Sequence, residues 1–124
     1  MKPIFEQYHN WLEEILSGEL PEGINGFAVN LYEGMASFEA ELVAAPEFDK
    51  DNEDWACDDI YMSARFEFLH EFIGSSWEPA LNKIVDSTKA YIMTNTSGAR
   101  LLKSVRGVGV GFVDGALVLV HVNA

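Results

Sequence analysis

Between Pro46 and Asp59 the chain reads Pro-Glu-Phe-Asp-Lys-Asp-Asn-Glu-Asp-Trp-Ala-Cys-Asp-Asp, with seven carboxylates in fourteen residues. Oxygen ligands at alternating positions are what a calcium loop needs, and Asp49, Asp51 and Glu53 fall at its first, third and fifth places. The match then fails, because Asp54 stands where glycine is required and Ile60 where the bidentate glutamate belongs. A looser cation site of oxygens is one reading of the segment. A solvated or partner-facing acidic loop is preferred, since charge runs usually stay in water.

Other chemistry finds less support. Cys57 is the only cysteine, and its neighbours Asp58 and Asp59 are a poor setting for a nucleophile, because reactive cysteines sit in electropositive surroundings. A buried structural cysteine beside Trp55 is expected instead. His9, His70 and His121 fall on separate elements without zinc-ligand spacing. Gly107-Val-Gly-Val-Gly lacks the third glycine of a dinucleotide loop, where Phe112 stands, and leads into a turn with no helix after it. Glu39 and Glu41 share one strand face at about 7 Å, a spacing open to acid and base roles, but exposed polar positions that add to the negative field are the favoured reading. The sequence therefore calls for no catalytic residue, metal or cofactor.

Charge is the most informative bulk property. Residues 1–59 carry fifteen acids and two bases, whereas residues 60–124 carry five acids and six bases, so the net charge of −12 is regional. Such a field repels nucleic-acid backbones and anionic membranes and favours a basic partner or metal cations. Arg65, Lys83, Lys89, Arg100, Lys103 and Arg106 are spread over several elements and form no basic stripe. The chain length of 124 residues suits one α+β domain. No run approaches a membrane span, the first residues include acids where a signal peptide would be basic and then apolar, and a lone cysteine agrees with a reducing compartment. A cytoplasmic bacterial protein is the expectation.

The elements that must hold the acidic segment follow from periodicity. Phe5, Tyr8, Trp11, Leu12, Ile15 and Leu16 recur at helical spacing after Pro3, and Gly18 supplies a stop. Phe27, Val29 and Leu31 alternate with Ala28, Asn30 and Tyr32; beyond Glu33-Gly34 the alternation resumes with Phe38, Ala40, Leu42 and Ala44, which predicts an antiparallel hairpin. A further strand is expected over 60–68, although helical spacing competes there. Leu81, Ile84, Val85, Thr88, Tyr91 and Ile92 mark a helix from near Trp77, capped by Ser75 or Ser76, and 99–105 reads as a short second one. The closing stretch is two apolar runs joined by Asp114-Gly115, which predicts a type I′ hairpin. Its register would set Val108 opposite His121, Val110 opposite Leu119 and Phe112 opposite Leu117. The hairpin is expected mid-sheet, with Gly107, Gly109 and Gly111 leaving one face open to a helix or bulky side chain. Together these predict an antiparallel sheet of four or five strands with two or three helices packed on one face.

Three blocks, Phe27-Ala-Val-Asn-Leu-Tyr-Glu33, Asp51-Asn-Glu-Asp-Trp-Ala-Cys-Asp58 and Gly107-Val-Gly-Val-Gly-Phe-Val-Asp-Gly115, resemble those of a family of small acidic bacterial proteins. The resemblance implies one domain, a bacterial setting and, for some members, immunity proteins that neutralise toxins. The better-known immunity superfamily of similar size has helix where this chain reads Gly26–Tyr32, so the chain is not placed there. The leading expectation is a non-enzymatic module that docks a basic protein partner, an immunity-type inhibitor of a toxin being its most concrete form. Its surface is Glu39, Glu41, Glu47, Asp49, Asp51, Glu53, Asp54, Trp55, Asp58 and Asp59. Trp55 either packs inward and pins the loop or stands out as an anchor. The competing expectations are a small metal-dependent hydrolase using the acidic loop and a structural homodimer.

Overall fold

The computed structural model describes residues 3–123. Four α-helices, α1 (Ile4–Leu16), α2 (His70–Ile73), α3 (Trp77–Ile92) and α4 (Ser97–Ser104), accompany six strands, β1 (Gly26–Glu33), β2 (Ser37–Ala45), β3 (Tyr61–Met62), β4 (Phe66–Leu69), β5 (Gly107–Phe112) and β6 (Val118–Val122). The fold is α+β. Its one sheet runs β3-β2-β1-β5-β6, with β4 paired to β2 beside β3.

The first hairpin forms as its alternation predicts, with Phe27 opposite Ala44, Val29 opposite Leu42 and Leu31 opposite Ala40. Residues alternating along β1 divide between two apolar clusters. Phe27, Val29 and Leu31 join Tyr8 and Leu12 of α1, Ile84 and Tyr91 of α3, and Leu102 of α4, whereas Ala28 joins Val43, Ala45, Phe48 and Trp55. Period-two alternation puts these two sets on opposite sides of the strand.

Three expectations about the sheet are corrected. It has six strands, and it is mixed: β5 lies parallel to β1, Gly26 pairing with Gly107 and Leu31 with Phe112. Helices α3 and α4 intervene before β5 and return the chain to add it beside β1 in the same direction, as a parallel neighbour requires. The predicted strand over 60–68 is split. Ser63 interrupts it: its Oγ accepts a hydrogen bond from the Leu42 N–H at 3.0 Å, in place of a backbone carbonyl. Beyond the break, β4 runs straight into α2.

The closing hairpin keeps its expected pairing only at its far end, with Val108 opposite His121. A bulge at Val108/Gly109 then shifts the register by one, setting Gly109 against Leu119 and Val110 against Val118. The turn is not type I′. Neither Asp114 nor Gly115 has a positive φ; Gly115 N–H donates to the Phe112 carbonyl at 3.0 Å, so the bend sits one residue earlier, over Val113-Asp114. The extra residue on β6 absorbs the difference. The hairpin is also not central, because β6 forms an edge of the sheet.

A carboxylate joins three helices. Glu13 of α1 accepts hydrogen bonds from Tyr91 Oη at 2.6 Å, Ser97 Oγ at 2.9 Å and the Gly98 N–H at 3.2 Å, which places it at the start of α4, where backbone donors and the helix dipole favour an anion. The Tyr91 hydrogen bond is the chief cause holding the Glu13 carboxyl below its ordinary value of 4.5, and burial pushes the other way. Since the folded value is the lower one, this contribution to stability is complete above pH 4.5 and fades as pH falls through the depressed value. Glu13→Gln is therefore expected to flatten the decline of the urea midpoint below that pH. A variant whose midpoint tracks the parent's at every pH would show that Glu13 contributes nothing there.

Candidate functional site

The acidic segment is a folded loop. It contains a 3₁₀ turn, Glu53–Cys57, started by Asn52, whose Oδ1 accepts from the Asp54 N–H at 3.0 Å. One turn earlier Asp49 Oδ1 accepts from the Asp51 N–H at 2.9 Å. These short-range bonds suit Asn and Asp in turns. Glu53 Oε2 accepts from the Leu117 N–H at 3.0 Å and ties the turn to the approach of β6.

Two aromatic rings fasten the loop to the sheet. Trp55, 5% exposed, lies with its six-membered ring against Gly26, and Phe48 lies against Gly107. The ring centroids are 5.0 Å apart, edge to face. Because Gly26 and Gly107 are register partners on adjacent parallel strands, they form one two-residue recess without side chains. Of the two alternatives for Trp55, the structure therefore shows the inward one. Its Nε1 is buried with no hydrogen-bond partner among the described residues, so the indole is held by ring packing. Of the helix or bulky side chain expected over the glycine column, the side chains are found: Trp55 and Phe48 from the loop fill the recess and, farther along, Leu117 covers Gly109.

With both rings turned inward, the intervening side chains face out. Glu47, Asp49, Asp51, Glu53, Asp54, Asp58 and Asp59 are all exposed. None of them takes part in an ion pair among the described residues. They line several shallow concavities: Glu47, Asp49 and Asp51 share one of about 770 Å³ with Lys50 and Arg106, and Glu53, Asp54 and Asp59 share one of about 560 Å³ with the β5–β6 turn. Cys57 is exposed in the latter, a correction to the buried position expected of it. The 3₁₀ turn spends its one inward position on Trp55 and leaves Cys57 facing out.

Glu39 and Glu41 behave differently from the rest. The solvated position expected of Glu41 is overturned: it is 5% exposed, accepts from Tyr32 Oη at 2.8 Å, and has Arg65 Nε at 3.6 Å. Glu39 pairs with Arg65 Nη1 at 3.0 Å. The Arg65 guanidinium also stacks on the Tyr32 ring, 3.8 Å from its centroid. Tyr32 titrates above its ordinary value, first because it is partly buried and then because it donates to Glu41. This cluster engages two of the carboxylates with one guanidinium, which offsets one of their two charges. Arg65→Met should lower the melting temperature by leaving Glu41 buried without its cation, and adding Glu41→Gln should restore part of the loss. Equal melting temperatures for parent and Arg65→Met would show the pair to be idle.

The histidines serve elsewhere. His9 Nε2 lies 2.8 Å from the Ser87 carbonyl, His121 Nε2 lies 3.1 Å from the Lys103 carbonyl, and the His70 ring packs on Phe38. Among the described residues no group of three His, Cys, Asp or Glu side chains is placed to hold a metal ion, and no helix is long and apolar enough to cross a membrane. Comparison with models of known families, with characterised proteins and with solved structures finds no match.

Proposed function

We propose that the chain is a non-enzymatic binding module whose loop 46–59 docks a basic protein partner. One observation carries this reading: seven exposed carboxylates, in no ion pair among the described residues, stand on a segment that two buried rings hold in shape. A held loop loses little conformational freedom on binding, and its field steers a cationic partner, raising the association rate more than the affinity. Glu39 and Glu41 are left out of the surface, because Arg65 already occupies them. In this reading the helices back one face of the sheet and the acidic loop covers the other.

An inhibitor of immunity type, acting in the bacterial cytoplasm on a basic toxin, is the most specific form of the proposal, and the resemblance of three sequence blocks supports it. The test is to titrate the purified chain with the basic product of a neighbouring toxin gene at about 0.05 M and about 0.5 M salt. Stoichiometric binding that weakens sharply at the higher salt supports docking by charge. Absence of binding at the lower salt, or affinity indifferent to salt, defeats it.

A further inference from the structure

On the other side of the β5–β6 turn from the acidic loop lies a groove of about 510 Å³, walled by Leu31, Trp77, Leu81, Phe112 and Val113. Trp77 and Val113 are each 54% exposed, although both are large and apolar. Trp77 meets the Phe112 ring edge-on, with centroids 6.2 Å apart at 90°. This side chain thus packs on Phe112 while about half of it stays open to solvent. Glu33 and Asp114 also line the groove. Residues Phe112 to Gly115 line both this groove and the concavity of Glu53, Asp54 and Asp59, so the two hollows adjoin across a single turn. Five carboxylates border the pair, and among the described residues neither lining contains a lysine, arginine or histidine.

We infer that this groove receives an apolar anchor of the basic partner, an aromatic or branched aliphatic side chain flanked by lysine or arginine, in a segment that crosses the β5–β6 turn. The inference rests on the docking reading and adds the source of affinity to it. Charge around the loop acts at a distance and is screened by salt. A desolvated aromatic contact is short-ranged, persists in salt, and is where interfaces concentrate their binding energy. The acidic border selects the occupant: an anionic lipid or nucleic acid would meet five carboxylates without a counter-charge, and a second copy of this chain would bring the same carboxylates with it.

The probe is a short fluorescein-labelled peptide with one phenylalanine among lysines and serines, beside a twin in which serine replaces the phenylalanine. Anisotropy is expected to show the phenylalanine peptide binding about tenfold more tightly than its twin. Trp77→Ala and, separately, Val113→Ser should erase that ratio in proteins that still unfold cooperatively; Trp77→Ala gives up its packing on Phe112 and lowers the melting temperature, so binding is read well below it. Asp54→Asn combined with Asp59→Asn should weaken both peptides alike and leave the ratio intact. Equal affinities for the two peptides, or a ratio that survives Trp77→Ala, overturn the anchor groove while the docking reading stands. Failure of both peptides to bind at low salt counts against the groove and the docking reading alike. A dimer of the parent protein that Trp77→Ala splits would give the groove to a second copy and overturn the inference as well.

Discussion

Trp55→Ala is expected to lower the unfolding free energy by about 3 kcal/mol and to release the acidic loop from the sheet. Truncating a buried tryptophan costs about 3–5 kcal/mol in general. The low end applies here, because the indole Nε1 is buried without a partner among the described residues, and removing an unsatisfied donor returns about 1 kcal/mol of desolvation. Trp55→Phe, which keeps a ring and drops the N–H, should cost much less. Native-state cleavage by a glutamate-specific protease reads the second effect. Glu47 and Glu53 lie within the loop, and their cleavage should accelerate in the alanine variant well beyond what its global stability explains. Unchanged protection would mean that the loop is held by something other than this ring. Partner affinity should fall with the release, since binding must then order the loop.

The second large effect is at the recess beneath that loop. Gly107 faces the Phe48 ring so closely that a Cβ there would overlap it, so Gly107→Val forces Phe48 out or pushes β5 from β1. Overpacking of this kind costs about 1–3 kcal/mol, and expelling Phe48 from its 8% exposed position adds about 2 kcal/mol of lost burial. The diagnostic result is coupling: Phe48→Ala, destabilising alone, should be nearly neutral in the Gly107→Val background. Strict additivity in denaturant unfolding would place the strain elsewhere. Gly26→Ala should behave in the same manner toward Trp55, whose Cε3 would lie 2.8 Å from the new carbon.

These residues also mark where sequence reasoning reached and where it stopped. The period-two pattern of Phe27–Tyr32 and Phe38–Ala44 predicted the first hairpin, and the helical stripes of α1 and α3 were plain, because a half-buried element writes its buried face into local spacing. Nothing local records which strand lies on the far side of Gly107–Phe112. A strand with neighbours on both edges looks the same whether the second is parallel or antiparallel, so the β1·β5 pairing was out of reach. The Asp-Gly signal failed for a related reason: the bulge on β6 moved the bend to Val113-Asp114, where no positive φ is needed. The acidic loop was found as a charge run, but the aromatics within it were not connected to the glycines outside it. Phe48 and Trp55 in an otherwise polar segment, with bare glycines on two strands, were the available signal. Arg65 was missed as the partner of Glu39 and Glu41, since β4 had to fold onto β2 before the three met.

The parallel ladder between β1 and β5 has a bearing on how the molecule is made. Its partners are separated by about 80 residues, from Gly26 to Gly107, and contacts that distant form late and slowly. During synthesis β1 and β2 leave the ribosome early and can pair at once, while the other edge of β1 waits for almost the whole remaining chain. Throughout that interval a run of Phe27, Val29 and Leu31 offers open backbone to any passing strand, which makes translation speed through the helical stretch before β5 a determinant of how much chain reaches the native state and how much aggregates.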